Sequence, residues 1–175
     1  MIFLIGYMAC GKTTLGRALE AAGAGTFIDL DEEIERHTSL SPRQWFATHG
    51  EASFRRKERE VLEAVCRTHP HTILATGGGT PCSPETMDFM LAHGLVVWLE
   101  ASLERTVTRL LEADGQRPLV AGKSADQLRQ FIPEHLEARK AFYGRAHVRF
   151  DSSRLDTQAE IDATVNDFIN SILPK

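Results

Sequence analysis

The sequence predicts an α/β protein whose parallel sheet is covered by helices on both faces. Two observations carry that expectation. Five short apolar runs alternate with longer amphipathic ones along the 175 residues. Glycine-rich segments also follow the first and third apolar runs. In a parallel sheet those strand ends border the ligand crevice.

The composition fits one soluble domain spanning 1–175, at 42% hydrophobic and 25% charged residues. A formal net charge of -4 argues against a nucleic-acid partner. No apolar run reaches the ~18 residues that span a bilayer, so no membrane partner is expected. The N-terminus has no basic segment and "MIFLI" is short for a signal-peptide core, so a cytoplasmic location is expected. Cys10, Cys66 and Cys82 form no CxxC pair, which argues against a disulfide framework or a cysteine zinc site. His69 and His71 flank a proline in "THPHT" and read as a loop rather than a metal pair.

The elements follow in order. "MIFLI" is a buried strand, and "KTTLGRALEAAG" is a helix that stops at Gly23 or Gly25. "TFIDL" is the second strand, and "DEEIERHT" is a helix with an acidic start. Ser41-Pro42 opens "SPRQWFATHG", and "EASFRRKEREVLEAVCRT" runs helically with Phe54, Val61, Leu62 and Val65 as its apolar stripe. "TILAT" is the third strand, and Ser83 and Gly94 bound the helix "SPETMDFMLAHG". "LVVWLE" is a strand and "SLERTVTRLLE" a helix. "ADGQRPLVAGKSAD" reads as a mobile loop, with the lid itself at 114–123. "ADQLRQFIPEHLEARKAFYGRA" is helical with an interruption expected at Pro133. "HVRFD" is the last strand and "TQAEIDATVNDFINSIL" the last helix.

The first glycine-rich segment is "GYMACGKTT". Gly6-x-x-x-x-Gly11-Lys12-Thr13 matches the pattern of a phosphate-binding loop, between a predicted strand and a predicted helix. Close wrapping of a phosphate demands glycine where a β-carbon would intrude. Successive N–H groups form an anion nest, and the helix presents its positive end. Lys12 can reach the terminal phosphates and the Thr13 hydroxyl can bind Mg²⁺. The segment therefore predicts a nucleoside triphosphate site. Cys10, inside the loop, is either a reactive thiol or a small residue that fits, and the second reading is favoured.

The acceptor of the phosphate is read from three further segments. Asp29 and Asp31 in "FIDLDEE" share a face if the strand stays extended, which suits one carboxylate to Mg²⁺ and the other to an acceptor hydroxyl. A plainer reading is a helix N-terminus decorated with acids. In "FRRKE", Glu58 stands i,i+3 from Arg55 and can hold its guanidinium still for a carboxylate. Gly77-Gly78-Gly79 suits close approach of backbone to a ligand.

"GYMACGKTT", "DLD", "FRRKE", "GGGT", "QRPL" and "EARKAFY" stand in the order and approximate spacing of the shikimate kinase family. The resemblance runs from Met1 to about Phe150. It implies the nucleoside-monophosphate-kinase-like P-loop kinase fold, a three-layer α/β/α sandwich with a five-stranded parallel sheet in the order 2-3-1-4-5. It implies ATP-dependent phosphorylation of the 3-hydroxyl of shikimate, with Mg²⁺, by an expected monomer. Residues 32–60 would form the shikimate-binding region. Asp31 would engage the hydroxyls as general base. Arg55 and Arg139 would clamp the carboxylate, with Glu58 bracing Arg55. Gly77, Gly78 and Gly79 would face the ring, and Phe46 and Phe54 would line the apolar wall. Ala9, Cys10, Gly11, Lys12, Thr13 and Thr14 would hold the phosphates, and Asp29 would support Mg²⁺ beside Thr13. Arg117 would meet the transferring phosphoryl group, Arg109 would stack near the adenine, and Asp151 to Arg154 would lie beside it. The chain departs from the family at Ala9, where a third loop glycine is usual. Alanine is strained there only if φ is positive.

Two other readings share parts of this pattern. A gluconate kinase would use the same loop and lid but would not need FRxxE and GGG beside DxD. A nucleotide-binding regulatory module would need neither the acceptor-site arginines nor a lid.

Overall fold

The computed structural model describes residues 1–113 and 119–173. Arg117 and the first half of the expected lid lie outside the described residues. In chain order the elements are β1 (Ile2–Ile5), α1 (Lys12–Ala21), β2 (Thr26–Asp29), α2 (Leu30–Thr38), α3 (Pro42–Thr68) and β3 (Thr72–Ala75). They continue with α4 (Pro84–His93), β4 (Leu95–Glu100), α5 (Leu103–Glu112), α6 (Ala125–Tyr143), β5 (Val148–Asp151) and α7 (Gln158–Ile172). The sheet order is β2-β3-β1-β4-β5, and every neighbouring pair is parallel. The expected fold class and strand order are therefore observed.

Strand periodicity divides the core into two layers. Phe3 and Ile5 of β1, Leu74 of β3, and Val96 and Trp98 of β4 pack with α3, α4 and α6 through Leu62, Met87, Met90 and Tyr143. Leu4, Ile73, Val97 and Leu99 point the other way, onto Leu15 and Leu19 of α1 and Val165 and Phe168 of α7. Phe3, Leu4 and Ile5 are all fully buried, each contributing roughly 1.5–3 kcal/mol by leaving water. That explains why the first strand is an unbroken apolar run. No helix among the described residues is long and apolar enough to cross a membrane.

Local chemistry alters three expected details. The second strand ends at Asp29, because its Oδ1 accepts the Asp31 N–H at 3.0 Å and opens α2 at Leu30. Asp29 and Asp31 therefore do not share a strand face; the first is an N-cap and the second lies in the first helical turn. The two helices expected on either side of Gly50 join as α3, with a break where Gly50 takes φ 74° and ψ 169°. Eight residues of straight helix would separate Phe46 from Phe54 by about 12 Å. The break instead brings their rings to 4.4 Å. Finally, α6 runs through Pro133 without ending. Pro133 and Arg129, whose carbonyl loses its helical donor, are both exposed, while Leu128 and Ile132 are anchored in the core. In the later part of the expected lid, Val120 is buried in that same core.

Parallel strands open the crevice at their carboxyl ends. The loops after β1 and β3 leave adjacent strands there, and Asp29 ends β2 on the far side of β3.

Candidate active site

The loop after β1 is shaped by its glycines. A β-carbon on Gly6 would lie 2.3 Å from the Leu99 carbonyl oxygen, and one on Gly11 would lie 2.4 Å from Leu155 Cδ1. Ala9 takes φ 60°, the left-handed region. There an L-residue is strained by roughly 1–2 kcal/mol. The departure at Ala9 therefore falls where glycine would relax the loop.

Helix α1 begins at this loop with Gly11 as N-cap and no side-chain cap. Helices α2 to α7 all begin with a side-chain oxygen on a first-turn N–H, from Asp29, Ser41, Ser83, Ser102, Ser124 and Thr157. Its first turn also carries no acidic side chain. The open N–H groups and the positive end of the helix suit an incoming anion. Lys12 Nζ donates to the Gly6 and Tyr7 carbonyls at 2.9 and 3.0 Å, which holds the ammonium against the loop. Thr13 Oγ1 donates to Asp29 Oδ2 at 2.7 Å. Cys10 is 1% exposed, and its carbonyl accepts from the buried Ser152 hydroxyl at 2.6 Å. It packs the underside of the loop.

Over this loop opens a cavity of about 470 Å³, lined by Lys12, Thr13, Thr14, Asp29, Asp31, Gly77, Gly78 and Arg109 among others. Its size falls in the ~300–1,000 Å³ range of small-molecule sites. Arg109 closes one side. Its guanidinium reaches the Ala9, Ser152 and Ser153 carbonyls at 3.4, 3.2 and 2.9 Å, and Asp156 at 2.7 Å. It ties the phosphate loop to the β5–α7 loop. Leu155 and Asp156 line the cavity there. Arg154 is exposed, and its carbonyl accepts from Thr164.

On the other side of Gly77–Gly79 lies a second cavity, lined by Arg55, Glu58, Gly79, Thr80, Cys82 and Arg139 among others. Glu58 is buried, and it donates nothing but accepts twice. Arg55 Nη1 lies 2.7 Å from one of its oxygens and Thr80 Oγ1 lies 2.6 Å from the other. The Arg55 guanidinium also lies 5.6 Å from the Phe46 ring centroid and 5.3 Å from that of Phe54. Both rings attract the cation, so the Gly50 break serves the site by pairing them. Arg139 Nη1 donates to the Gly78 carbonyl at 2.9 Å, and the Tyr143 hydroxyl donates to the same oxygen at 2.6 Å. Burial pushes the Tyr143 hydroxyl well up in pKa, so it stays a donor. Burial likewise pushes the Cys82 thiol up.

The triple glycine also lies close against the protein's own side chains. Backbone on Gly77–Gly79 makes room for the protein's own functional groups. A β-carbon on Gly79 would sit 2.4 Å from Arg55 Nη2, and one on Gly77 would sit 3.2 Å from Asp31 Oδ1 and Glu58 Oε1. On Gly78 it would meet Arg139 Nη1 at 3.4 Å.

Several supporting residues escape a reading of motifs. Thr80 and Ser152 lie in segments already singled out, 77–80 and 151–154, but the partners of their hydroxyls, Glu58 and the Cys10 carbonyl, are far away in sequence. His135, Arg139 and Tyr143 stand four apart, which puts them on one stripe of α6. That spacing is the signal that could have found His135 and Tyr143. Tyr7 joins them through its hydroxyl, 2.9 Å from His135 Nδ1.

Comparison with known proteins converges on one family. The family described as shikimate kinase matches residues 8–172. A shikimate kinase of Parabacteroides distasonis is 39% identical over 172 residues, covering 98% of this chain and 96% of its own. The crystal structure of shikimate kinase from Bacteroides thetaiotaomicron matches with a TM-score of 0.90 at 38% identity, over 97% of this chain and 96% of that one. The structure of shikimate kinase from Acinetobacter baumannii in complex with shikimate matches with a TM-score of 0.80 at 30% identity, over 98% of this chain and 94% of that one.

Proposed function

The chain belongs to the shikimate kinase family, and from that premise we propose how its residues move a phosphoryl group from ATP to the 3-hydroxyl of shikimate. One observation carries the reading. An uncapped helix start and two braced guanidiniums flank the same triple glycine, with Asp31 beside it. The first suits phosphates and the second suits a carboxylate on a small hydroxy acid.

Arg55 and Arg139 bind the shikimate carboxylate, which does not change during the reaction. Phe46 and Phe54 wall the ring and steady Arg55. Asp31 accepts the proton of the 3-hydroxyl as its oxygen attacks the γ-phosphorus. The bond from that phosphorus to the bridging oxygen breaks, and ADP leaves. The main-chain N–H groups of 9–14 and the Lys12 ammonium hold the phosphates. Arg117, outside the described residues, takes the role of meeting charge on the transferring group. Such a transfer needs positioning and charge neutralisation more than covalent help.

Thr13 and Asp29 are the residues that would hold Mg²⁺. Their oxygens lie 2.7 Å apart beside the phosphate loop, and hard oxygen donors suit this ion. Among the described residues no group of three or more His, Cys, Asp or Glu could hold a metal, which fits an ion bound mainly through nucleotide and water. When bound, the ion neutralises phosphate charge.

A coupled ADP-release assay across shikimate, quinate, gluconate and nucleoside monophosphates tests the reading. The highest kcat/KM is expected with shikimate, with the product phosphorylated at the 3-oxygen by ³¹P NMR. Faster turnover of gluconate or a nucleoside monophosphate would overturn it.

A further inference from the structure

The imidazole of His135 takes no part in the steps above, yet it stands between the carboxylate clamp and the phosphate loop. Arg139 Nη2 lies 3.2 Å from His135 Nε2, and Tyr7 Oη lies 2.9 Å from Nδ1. A guanidinium can only donate, so Nε2 must offer its lone pair. The neutral ring then carries its proton on Nδ1 and donates it to Tyr7. Phe131 stacks on the ring at 5.1 Å and Tyr7 meets it edge-on at 5.6 Å, so its orientation is fixed. Among the described residues, the charged and titratable groups around it are Arg139 on the same helix, Tyr7 on the phosphate loop, and Lys123, which lies 5.0 Å from the Phe131 ring.

We propose that His135 is a positioning residue for shikimate capture: its neutral imidazole orients Arg139, and protonation of the ring releases that arm of the clamp. The inference rests on the reading of Arg139 as a carboxylate ligand. Protonation would put an N–H where the acceptor was and a positive charge beside the guanidinium. Arg139 would lose this partner and keep its bond to the Gly78 carbonyl and its place over the Tyr7 ring. Burial and the Arg139 charge both hold the His135 pKa below its ordinary value, so the ring is neutral near pH 7 and charges as pH falls.

Steady-state kinetics between about pH 5.5 and 8.5 test this on the parent, His135→Gln, His135→Phe and Arg139→Ala. Glutamine offers an acceptor near the Nε2 position and cannot gain a proton. The parent should show a KM for shikimate that rises on the acid side, and H135Q should lose that rise while keeping a parent-like KM at pH 8. H135F should raise KM about three- to tenfold at pH 8, the range of one lost hydrogen bond, with kcat and the KM for ATP within about twofold. The inference is overturned by a parent without the acid rise, by an H135Q variant that retains it, or by ATP and shikimate KM rising together. Arg139→Ala separates the two levels. An unchanged KM there sinks the clamp itself, whereas a raised KM with unaltered behaviour in both His135 variants sinks only the role of His135.

Discussion

The two halves of the site are built in different ways. The phosphate loop, proposed to hold the nucleotide's phosphates, is continuous in sequence from Gly6 to Thr14 and offers mostly backbone N–H groups and one helix end. The side proposed for shikimate is a set of side chains from α2, α3 and α6, grouped around the loop after β3. Each of its guanidiniums is held by other groups of the chain: Glu58, itself bonded by Thr80, behind Arg55, and the Gly78 carbonyl and His135 behind Arg139. Backbone recognition tolerates a change of side chain and fails on an added β-carbon or lost charge. Side-chain recognition fails whenever a brace is removed.

Kinetics should divide along that line. The largest effect is expected for Arg117→Ala, where charge developing on the transferring group loses its partner. The fall should lie in kcat, on the order of 10³–10⁵-fold. A change confined to KM would move Arg117 out of the reacting centre. Asp31→Asn should lower turnover by ~10²–10⁴-fold, the range for general acid–base groups. Its ATP affinity, measured by calorimetry, should stay near that of the parent. Turnover within about threefold of the parent would remove Asp31 from the proton transfer.

Arg55→Ala belongs to the other half and should act on KM. The carboxylate it is proposed to bind is the same in ground and transition states, so the loss is shared by both. A charge-assisted hydrogen bond contributes roughly 1.5–3 kcal/mol, so KM for shikimate should rise about ten- to a hundredfold. Some loss of kcat is expected, because a misplaced acceptor also slows transfer. If Arg55→Ala lowered only kcat, the contrast between the halves would collapse.

The smallest effect tests the backbone half alone. Ala9→Gly should relieve the left-handed strain at φ 60°. The gain of roughly 1–2 kcal/mol is partly offset by about 0.4–1 kcal/mol of extra freedom in the unfolded chain. A net stabilisation of about 1 kcal/mol in urea unfolding is expected. Destabilisation would mean that the methyl group contributes packing the strain argument omits.

The phosphate loop was legible because its physics is local. Glycine spacing, a lysine and a strand-to-helix transition all act within nine residues. The parallel sheet was legible for a similar reason, since a strand buried on both faces must be apolar throughout. Arg55 with Glu58 was legible as an i,i+3 pair. The strand order and Arg139 came through resemblance to a family, not through periodicity.

What tertiary structure alone decided are the relations between segments far apart in the chain. At Gly16, inside α1, a β-carbon would lie 2.1 Å from the Phe27 ring of β2. The triple glycine reads as a place of close approach, and only the packing brings Arg55, Asp31, Glu58 and Arg139 within contact of its absent β-carbons. Tyr7 and His135 are 128 residues apart and share a hydrogen bond. No local propensity encodes such pairs. They exist because the sheet puts β1 between β3 and β4 and packs α6 against that side of it, which sets three distant loops around one crevice. Side-chain chemistry is written in the sequence, but the distance over which it acts is set by the packing of elements.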